Sequence, residues 1–354
     1  MQKQTSPYLM TFSLASPVLK RYVGVINNDD ARDNRPVPQH FLKSAKARTL
    51  SVKEVMRMSE DEAFATFAML RWPDTEGEAV CPHCGHDKCY LIKTRRRFKC
   101  AACRKQFSIT SGTIFHSAKL ELRDYLAVIA LFVNAVKGIS ALQVSRDVDI
   151  SYKAAFVLLH KLREAIDGTR SDITLSGEVE IDGAYYGGHV RPSNGGREGR
   201  KPSKKRRKKC VLTLVQRGGA TVTKVIPSEN TDDVLDIARK HIAQDSVVFA
   251  DEHGAYDVLH ARYEVYRINH RWSYSDGIAC TNQAESFHAR MRRAEIGQYH
   301  RISNRYLSQY ASEIAYRSDR KRVDNGTVFS EVTEMALATP ASRTWIGYWQ
   351  KRAV

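Results

Sequence analysis

Three acidic residues that lie far apart in the sequence could act together in phosphoryl-transfer chemistry. Asp182 follows a strand-like run in EIDGAYYGG, and Asp251 follows another in FADEHGAY. Glu285 lies in the helix-like segment TNQAESFHARMR, on the same face as Asn282 and Arg292. Converging oxygen ligands suit Mg²⁺ or Mn²⁺ better than zinc. Two such ions can activate an attacking oxygen and stabilise a leaving oxygen, so the acids predict metal-dependent in-line displacement at phosphorus.

A single acid of this kind more often caps a helix or faces solvent than binds a metal. We assign Asp232, Asp233 and Glu252 to that ordinary role. The prediction for the other acids therefore depends on the fold bringing them together.

Alternating apolar residues predict the strands that would position the two aspartates. The expected elements are strand 178–184, a hairpin of 210–215 and 220–226, a helix over 231–244 and a strand over 247–250. This order indicates an α/β domain with a mixed sheet, in which Asp182 and Asp251 each close a strand and meet at one sheet edge. The 33 residues between Asp251 and Glu285 leave room for a further strand and a loop.

Four of the seven cysteines form two CxxC pairs with the spacing of a metal site. Cys81 and Cys84 form the first pair, and Cys100 and Cys103 the second. Two such turns joined by a hairpin can surround one Zn²⁺ tetrahedrally, and the odd cysteine count argues against disulfides. The alternatives are a redox role for the CxxC pairs and a purely structural zinc finger that does not contact nucleic acid. The spare candidate ligands are His83, His86 and Cys89.

Helices are expected on both sides of this ribbon. Ser59 and Glu62 have the spacing of a capping box, and the helix they begin should end before Pro73. Further helices are predicted over 119–136, over 140–148 and from 151 onward. The last two have the arrangement of a helix-turn-helix, and an ordinary helical packing unit is the alternative. The side chains that could read DNA bases are Tyr152, Lys153, His160 and Arg163.

The charge of the 354-residue chain favours a polyanionic partner, since 56 Lys and Arg against 39 Asp and Glu leave a net charge of +17. Residues 77–110 carry a net +6 and residues 197–209 a net +8. The first window includes Arg95, Arg96 and Arg97 in a hairpin, and the second reads as a loop that could follow phosphates. A merely solvated basic surface is the alternative. The expected phosphate contacts of the second window are Lys204, Lys205, Arg206 and Arg207.

Membrane insertion and secretion are not expected. The longest apolar stretch is about 12 residues, short of the roughly 18 to 20 that a bilayer requires, and the first 25 residues lack the order of a signal peptide. We expect a cytoplasmic protein.

Several motifs in order resemble bacterial insertion-sequence transposases with an amino-terminal zinc ribbon and an ISXO-type DDE domain of ribonuclease-H-like fold. The resemblance extends from about Arg71 to Arg320. Its motifs are RWP, CPHCG, FKCAAC, FSITSGTIF, KGISA, EIDGAYYGG, ADEHGAY, NHRW and TNQAESF.

The resemblance implies roles for particular residues. Asp182 and Asp251 take the first two acidic places, and the third belongs to Asn282 or Glu285. We favour Glu285 because a carboxylate offsets cation charge better than an amide. Arg292 stands where the family usually has Lys late on this helix, and would bind DNA phosphate. Cys280 stands where the pattern often has His, although His270 remains in NHRW.

The resemblance also implies the reaction and the partners. A transposase hydrolyses phosphodiesters at transposon ends and transfers the freed 3′-hydroxyl onto target DNA, with structural zinc and two catalytic Mg²⁺ or Mn²⁺ ions. The ribbon and helical unit would bind terminal inverted repeats, and synapsis in the nucleoid suits a homodimer or larger assembly. The alternatives are a domesticated zinc-ribbon regulator without catalysis and a nuclease that cuts without joining.

The predicted fold class is α/β and multidomain. We expect a zinc ribbon, a helix-turn-helix-like unit, and a ribonuclease-H-like mixed sheet flanked by helices. The predicted divisions are a poorly ordered leader 1–58, short helix and ribbon 59–110, helical DNA-binding unit 111–170, catalytic domain 176–322 with basic loop 197–209, and C-terminal extension 323–354.

Overall fold

The computed structural model describes residues 40–187, 208–268 and 281–350. The predicted phosphate contacts of the basic loop, and two residues of the family motifs, lie outside these ranges. They are Lys204, Lys205, Arg206, Arg207, His270 and Cys280.

The ribbon is a small antiparallel sheet. Its strands are β1 (Cys89–Ile92), β2 (Arg97–Cys100) and β3 (Gln106–Ser108), in the order β1-β2-β3. Phe98 on β2 stacks on Phe107 of β3 with ring centroids 5.4 Å apart, and Trp72 meets Phe98 edge-on at 5.5 Å. This aromatic contact packs the ribbon against the helix that ends just before Trp72.

Two helices precede the ribbon, α1 (Val52–Arg57) and α2 (Glu60–Arg71). The predicted capping box is present, because Ser59 Oγ accepts from the Glu62 amide at 3.2 Å and Glu62 Oε2 accepts from the Ser59 amide at 2.8 Å. The helix ends before Pro73, as predicted. Order begins earlier than the predicted boundary at 58, since α1 lies before it with Val55 fully buried.

Three helices follow the ribbon. They are α3 (Leu122–Asn134), α4 (Ala141–Asp147) and α5 (Tyr152–Thr169). Ser140 and Ser151 cap α4 and α5 by accepting from backbone amides at 3.1 and 3.2 Å. Asp149, with φ 53°, makes the left-handed turn between them. The predicted helix order is confirmed, although α3 is shorter than 119–136 at both ends.

The interpretation of α5 as a base-reading helix needs correction at two positions. His160 and Arg163 are buried, not exposed. His160 Nδ1 lies 2.9 Å from Gln309 Oε1, and Arg163 Nε donates to Glu313 Oε2 at 2.6 Å. Their partners lie about 150 residues further along the chain, a distance over which sequence spacing carries no information. Tyr152 and Lys153 are exposed, as predicted.

The second sheet has five strands in the order β6-β5-β4-β7-β8. Its strands are β4 (Glu178–Tyr186), β5 (Lys209–Gln216), β6 (Thr221–Ile226), β7 (Val247–Asp251) and β8 (Glu264–Ile268). β4, β5 and β6 pair antiparallel, whereas β7 pairs parallel with β4 and β8 pairs parallel with β7. This is the ribonuclease-H-like mixed sheet that the resemblance implies. β8 is the further strand expected between Asp251 and Glu285.

Helices cover both faces of this sheet. On one face α6 (Thr231–His241) and the 3-10 segment Gly254–Ala261 pack on Val179 and Ile181. On the other face α7 (Asn282–Ala294) and α8 (Leu307–Asp319) pack on Ala184 and Tyr186. Because side chains alternate along β4, Asp182 points to the α7 side.

The C-terminal helix α9 (Asn325–Ala338) packs against α2, α3 and α5. Its buried Phe329 and Val332 belong to the same apolar core as Phe67 and Leu126. The segment predicted as an extension after residue 322 therefore completes the helical core. Within the described ranges, no helix has the length and hydropathy of a membrane span.

Candidate functional site

Asp182 lies in the middle of β4 rather than at its end. The strand continues to Tyr186 because its pairing with β5 continues, up to the pair of Tyr186 with Lys209. The parallel partner β7 pairs only as far as Ile181 with Ala250. Asp182 is the next residue, so one side of the strand opens there and its side chain is 18% exposed. The prediction that Asp182 ends a strand was wrong. The strand is nevertheless unpaired at Asp182 on the side of β7, which leaves the carboxylate partly exposed.

Asp251 is the last residue of β7, as predicted. Since Ile181 pairs with Ala250, Asp182 and Asp251 are adjacent positions on neighbouring strands. Asp251 Oδ1 accepts from the His253 amide at 2.9 Å, and its backbone oxygen accepts from Arg267 Nε at 2.6 Å. These bonds fix the chain where it leaves the sheet.

Helix α7 is joined to β4 by a carboxylate that sequence reasoning missed. Glu180 is fully buried, and its Oε2 accepts from the amides of Gln283 and Ala284 at 2.7 and 3.2 Å. Its Oε1 accepts from Arg217 Nε at 2.9 Å. Glu180 thus satisfies the first amides of α7 and holds the helix that carries Glu285 beside the strand that carries Asp182.

The carboxyl group of Asp182 has a strongly raised pKa, about 7. Burial is the largest cause, followed by the negative charge of Asp251 and then by the charges of Glu229 and Glu285. A hydrogen bond from the Gly183 amide at 2.8 Å opposes the rise. Like charges held together in this way favour binding of a proton or a cation.

Of the two candidates for the third position, Glu285 is half-buried and acts electrostatically on Asp182, whereas Asn282 is exposed as the first residue of α7. Arg292 is exposed near the end of the same helix. In the described ranges, the cysteines of the ribbon are the only group of three or more His, Cys, Asp or Glu whose ligand atoms all lie within 4.8 Å of one another. No three carboxylates of the described residues therefore lie within that distance of one another.

Glu229 is a fourth acid at this edge, and sequence reasoning missed it. Its Oε1 accepts from the Tyr256 hydroxyl at 2.6 Å, and its amide donates to the Tyr185 hydroxyl at 3.1 Å. A side chain at position 183 would collide with the Glu229 carboxylate, so Gly183 is required for this approach. Glu229 lies in the turn before α6, where neither periodicity nor spacing distinguishes it from a surface residue.

His288 on α7 contacts the backbone of Asp182. Its Nε2 lies 3.3 Å from the Asp182 backbone oxygen, and its Nδ1 lies 3.0 Å from the Tyr186 hydroxyl. Burial lowers the pKa of His288 to about 4, so the ring is neutral near pH 7. A backbone oxygen only accepts hydrogen bonds, so Nε2 carries the proton and Nδ1 accepts from Tyr186. Helical spacing in the sequence selected Glu285 as a candidate ligand. It gave no reason to select His288, which is buried.

The four cysteines of the ribbon form a compact ligand set, as predicted. Cys81 and Cys103 have sulfurs 3.6 Å apart, as do Cys84 and Cys100. A tetrahedron with metal–sulfur bonds of about 2.3 Å has sulfurs about 3.8 Å apart, so these thiols fit one tetrahedral ion. Cys89 is outside the group, with its thiol 3.8 Å from the His86 backbone oxygen.

The predicted basic turn of the ribbon lies at its tip. Arg95 and Arg97 are exposed. Arg96, with φ 46°, makes the turn, and its guanidinium pairs with Asp61 of α2 at 2.8 Å. Arg96 therefore also holds the turn against α2.

Two family models match the chain. Residues 174–319 match the ISXO2-like transposase domain, and residues 58–106 match a transposase zinc-ribbon domain. A curated relative from Halobacterium salinarum, described as an uncharacterized protein in transposable element ISH50, is 26% identical over 300 residues, which are 79% of this chain and 98% of the relative.

Among solved structures, the Mos1 transposase paired-end complex with left transposon end is similar at 11% identity and a TM-score of 0.26, covering 60% of this chain and 79% of that one. The Mos1 strand transfer complex is similar at 11% identity and a TM-score of 0.25, covering 59% and 76%. These TM-scores are too low to support the fold. The evidence for the ribonuclease-H-like fold is the strand order of the five-stranded sheet.

Proposed function

We propose that this chain, which matches an ISXO2-like transposase domain and a transposase zinc-ribbon domain, cuts DNA at the ends of its element and joins those ends to a target. The observation that supports the proposal best is that Asp182 and Asp251 hold adjacent positions on the paired strands β4 and β7, where burial and the charges of Asp251, Glu229 and Glu285 raise the pKa of Asp182. Acids crowded at a half-open sheet edge destabilise the fold unless they serve a cation or a proton.

Asp182, Asp251 and Glu285 would hold the divalent cations, Mg²⁺ or Mn²⁺. Carboxylate oxygens are the donors those ions prefer, so the residues present fit the group. When bound, two such ions supply activation of the attacking oxygen and stabilisation of the leaving oxygen. The half-buried Glu285 fits the third place better than the exposed Asn282, which remains the alternative ligand.

The chain's own groups position this site. Glu180 holds the first turn of α7 against β4, and His288 holds the backbone of Asp182 through its protonated Nε2. Water would attack a phosphodiester at the transposon end and release a 3′-hydroxyl. That hydroxyl would then attack a target phosphodiester and displace another 3′-oxygen, so one site serves both steps.

The remaining parts of the chain would bind DNA. The four cysteines would bind structural zinc, which gives the ribbon its folding energy. The ribbon and the helical unit would recognise terminal inverted repeats, with Arg95, Arg96 and Arg97 at the tip of the hairpin. Arg292 and the residues Lys204, Lys205, Arg206 and Arg207 would contact DNA backbone. Synapsis of two ends requires at least a homodimer, acting at the nucleoid.

The test is a cleavage and joining assay with the inverted repeats that flank the reading frame. We expect Asp182→Asn and Asp251→Asn each to lower cleavage at least about 10³-fold, because several kcal/mol of transition-state stabilisation are lost. Binding to the same ends should change little. Asp245→Asn, at the opposite end of β7 and exposed, is the matched control and should cleave normally.

Full cleavage by either active-site variant would overturn the assignment. Binding without cleavage by the unaltered protein in Mg²⁺ and Mn²⁺ would support the catalytically inactive regulator. Cleavage without joining would support a nuclease.

A further inference from the structure

A large groove with many cations lies along the second half of α7, on a part of the helix surface turned away from the face that carries Glu285. Its volume is about 1160 Å³, and its walls come from the segment before α1, the end of α3, the second half of α7, and the α8–α9 region. The described residues that line it include no Asp or Glu. Among its cations are Arg48, Lys137, Arg290, Arg293, Lys321 and Arg322.

Most of these cations lack a neutralising partner among the described acids. Two further arginines of the lining are paired, Arg317 with Glu313 at 2.9 Å and Arg320 with Glu331 at 2.8 Å. The six residues that define the groove form no salt bridge within the described chain. Burial lowers the pKa of Arg290 and the charge of Arg293 lowers it further, whereas the charge of Asp319, which pairs with Arg170, opposes the shift. Crowded cations of this kind attract an anion into the groove.

The shape of the groove favours an extended polyanion. Apolar side chains such as Phe41, Phe132 and Val332 line the groove between the cations. Its cations come from four separate chain segments, from the one before α1 to the one after α8. Most are exposed, as contacts to a solvated backbone require.

We propose that this groove binds the phosphodiester backbone of duplex DNA at a place separate from the acidic edge. The six cations named above would contact the phosphates. DNA is the polyanion favoured here because the proposal rests on the proposed transposase function. Helix α7 links the two places. At about 100° per residue, Arg293 is turned about 80° and Arg290 about 140° from Glu285. One helix would then position the reacting strand on one side and a neighbouring stretch of duplex on another.

The experiment compares two triple variants of the full chain that lose the same charge. The groove variant is Arg293→Gln/Lys321→Gln/Arg322→Gln, and the control variant is Lys53→Gln/Arg239→Gln/Lys240→Gln, all at exposed positions. Binding to a random-sequence DNA duplex is measured by fluorescence anisotropy over a range of KCl in buffer without divalent cation. Thermal melting confirms that both variants fold.

We expect the groove variant to bind at least about tenfold more weakly, with a salt slope smaller by about 2 to 3, since each lost phosphate contact removes about 0.9. The control variant should keep the slope of the unaltered protein. The proposal is overturned if the groove variant keeps that slope or if both variants lose it equally. It is also overturned if duplex RNA or anionic vesicles bind the unaltered protein better than DNA, or if sedimentation shows that the groove variant loses only self-association.

This assay measures binding alone, so its failure is separate from failure of the proposed function. A chain that never cleaves would fail in the Asp182 experiment, whatever the groove does. A groove that does not bind DNA would leave cleavage at transposon ends intact.

Discussion

Asp182 shows at the residue scale how burial and neighbouring charges change the protonation of one carboxyl group. Its carboxyl is mostly buried, and three other acids act on it, which raises its pKa to about 7 from an ordinary 3.8. In the unfolded chain the same group ionises near its ordinary pKa. The folded state therefore binds more protons than the unfolded state between about pH 4 and pH 7.

The sign of this linkage gives a pH prediction. The contribution of Asp182 to stability is fully present below its unfolded pKa and is lost as pH rises through about 7. In buffer without divalent cation, Asp182→Asn should be more stable than the unaltered protein at pH 8, by a few kcal/mol at most at about 1.4 kcal/mol per pKa unit. The difference should shrink towards pH 4.

Urea denaturation at several pH values measures this difference, with Asp245→Asn as the control. Added Mg²⁺ should stabilise the unaltered protein at pH 8 more than the variant, because the cation offsets the same repulsion. If the unaltered protein and Asp182→Asn are equally stable at pH 8, the charges of the acids do not destabilise the fold.

At the scale of elements, the junction of β4 and α7 decides the position of Glu285. Glu180 is a buried acid on β4 that accepts from two amides of α7 and from Arg217. Glu178, two residues earlier, pairs with the same arginine at 2.7 Å but is 51% exposed. The two glutamates therefore form a matched pair that differs in burial and in contact with α7.

Glu180→Gln should lower the free energy of unfolding by about 1 to 3 kcal/mol, the usual value of hydrogen bonds to a charged group. Glu178→Gln should cost less than about 1 kcal/mol, as exposed ion pairs do. The Glu180 variant should also bind Mg²⁺ more weakly, since α7 loses part of its attachment to β4. Calorimetric titration measures that affinity, and equal effects of the two variants would contradict the role given to Glu180.

The ribbon allows a second comparison at this scale. Cys81→Ser should remove the bound metal and unfold the ribbon, because metal binding supplies its folding energy. Cys89→Ser should keep the metal, since that thiol lies outside the ligand group. Metal analysis of the purified proteins separates the two outcomes, and specific end binding that survives in the Cys81 variant would show that the ribbon is not the DNA reader.

At the scale of the whole molecule, α8 joins the sheet to the helical core. Arg163 of α5 donates to Glu313 of α8 at 2.6 Å, and both side chains are buried. Arg317 shares that carboxylate at 2.9 Å. Burial would raise the pKa of Glu313, but the two arginines outweigh it and hold that pKa below its ordinary value.

Glu313→Gln should cost about 3 to 5 kcal/mol, because it leaves the buried charge of Arg163 uncompensated. Glu121→Gln is the control, since its pair with Arg123 at 2.9 Å is largely exposed and should cost less than about 1 kcal/mol. Chemical denaturation measures both. A loss of under about 1 kcal/mol for Glu313→Gln would mean that the pair does not hold the two parts together.

Local patterns in the amino-acid sequence determined much of this protein by themselves. The capping box at Ser59, the two CxxC pairs and the end of β7 at Asp251 follow from residues close in sequence. These features depend on hydrogen bonding and periodicity within a few residues, so the sequence contains them directly.

Only the tertiary structure decided which other side chains join the site and the core. Glu229, Glu180 and His288 reach Asp182 or α7 from separate segments, and His160 and Arg163 are buried because α8 and its preceding loop cover them. Burial and long-range charge depend on which distant surfaces meet when the chain packs. A pattern read along one segment contains no record of that packing.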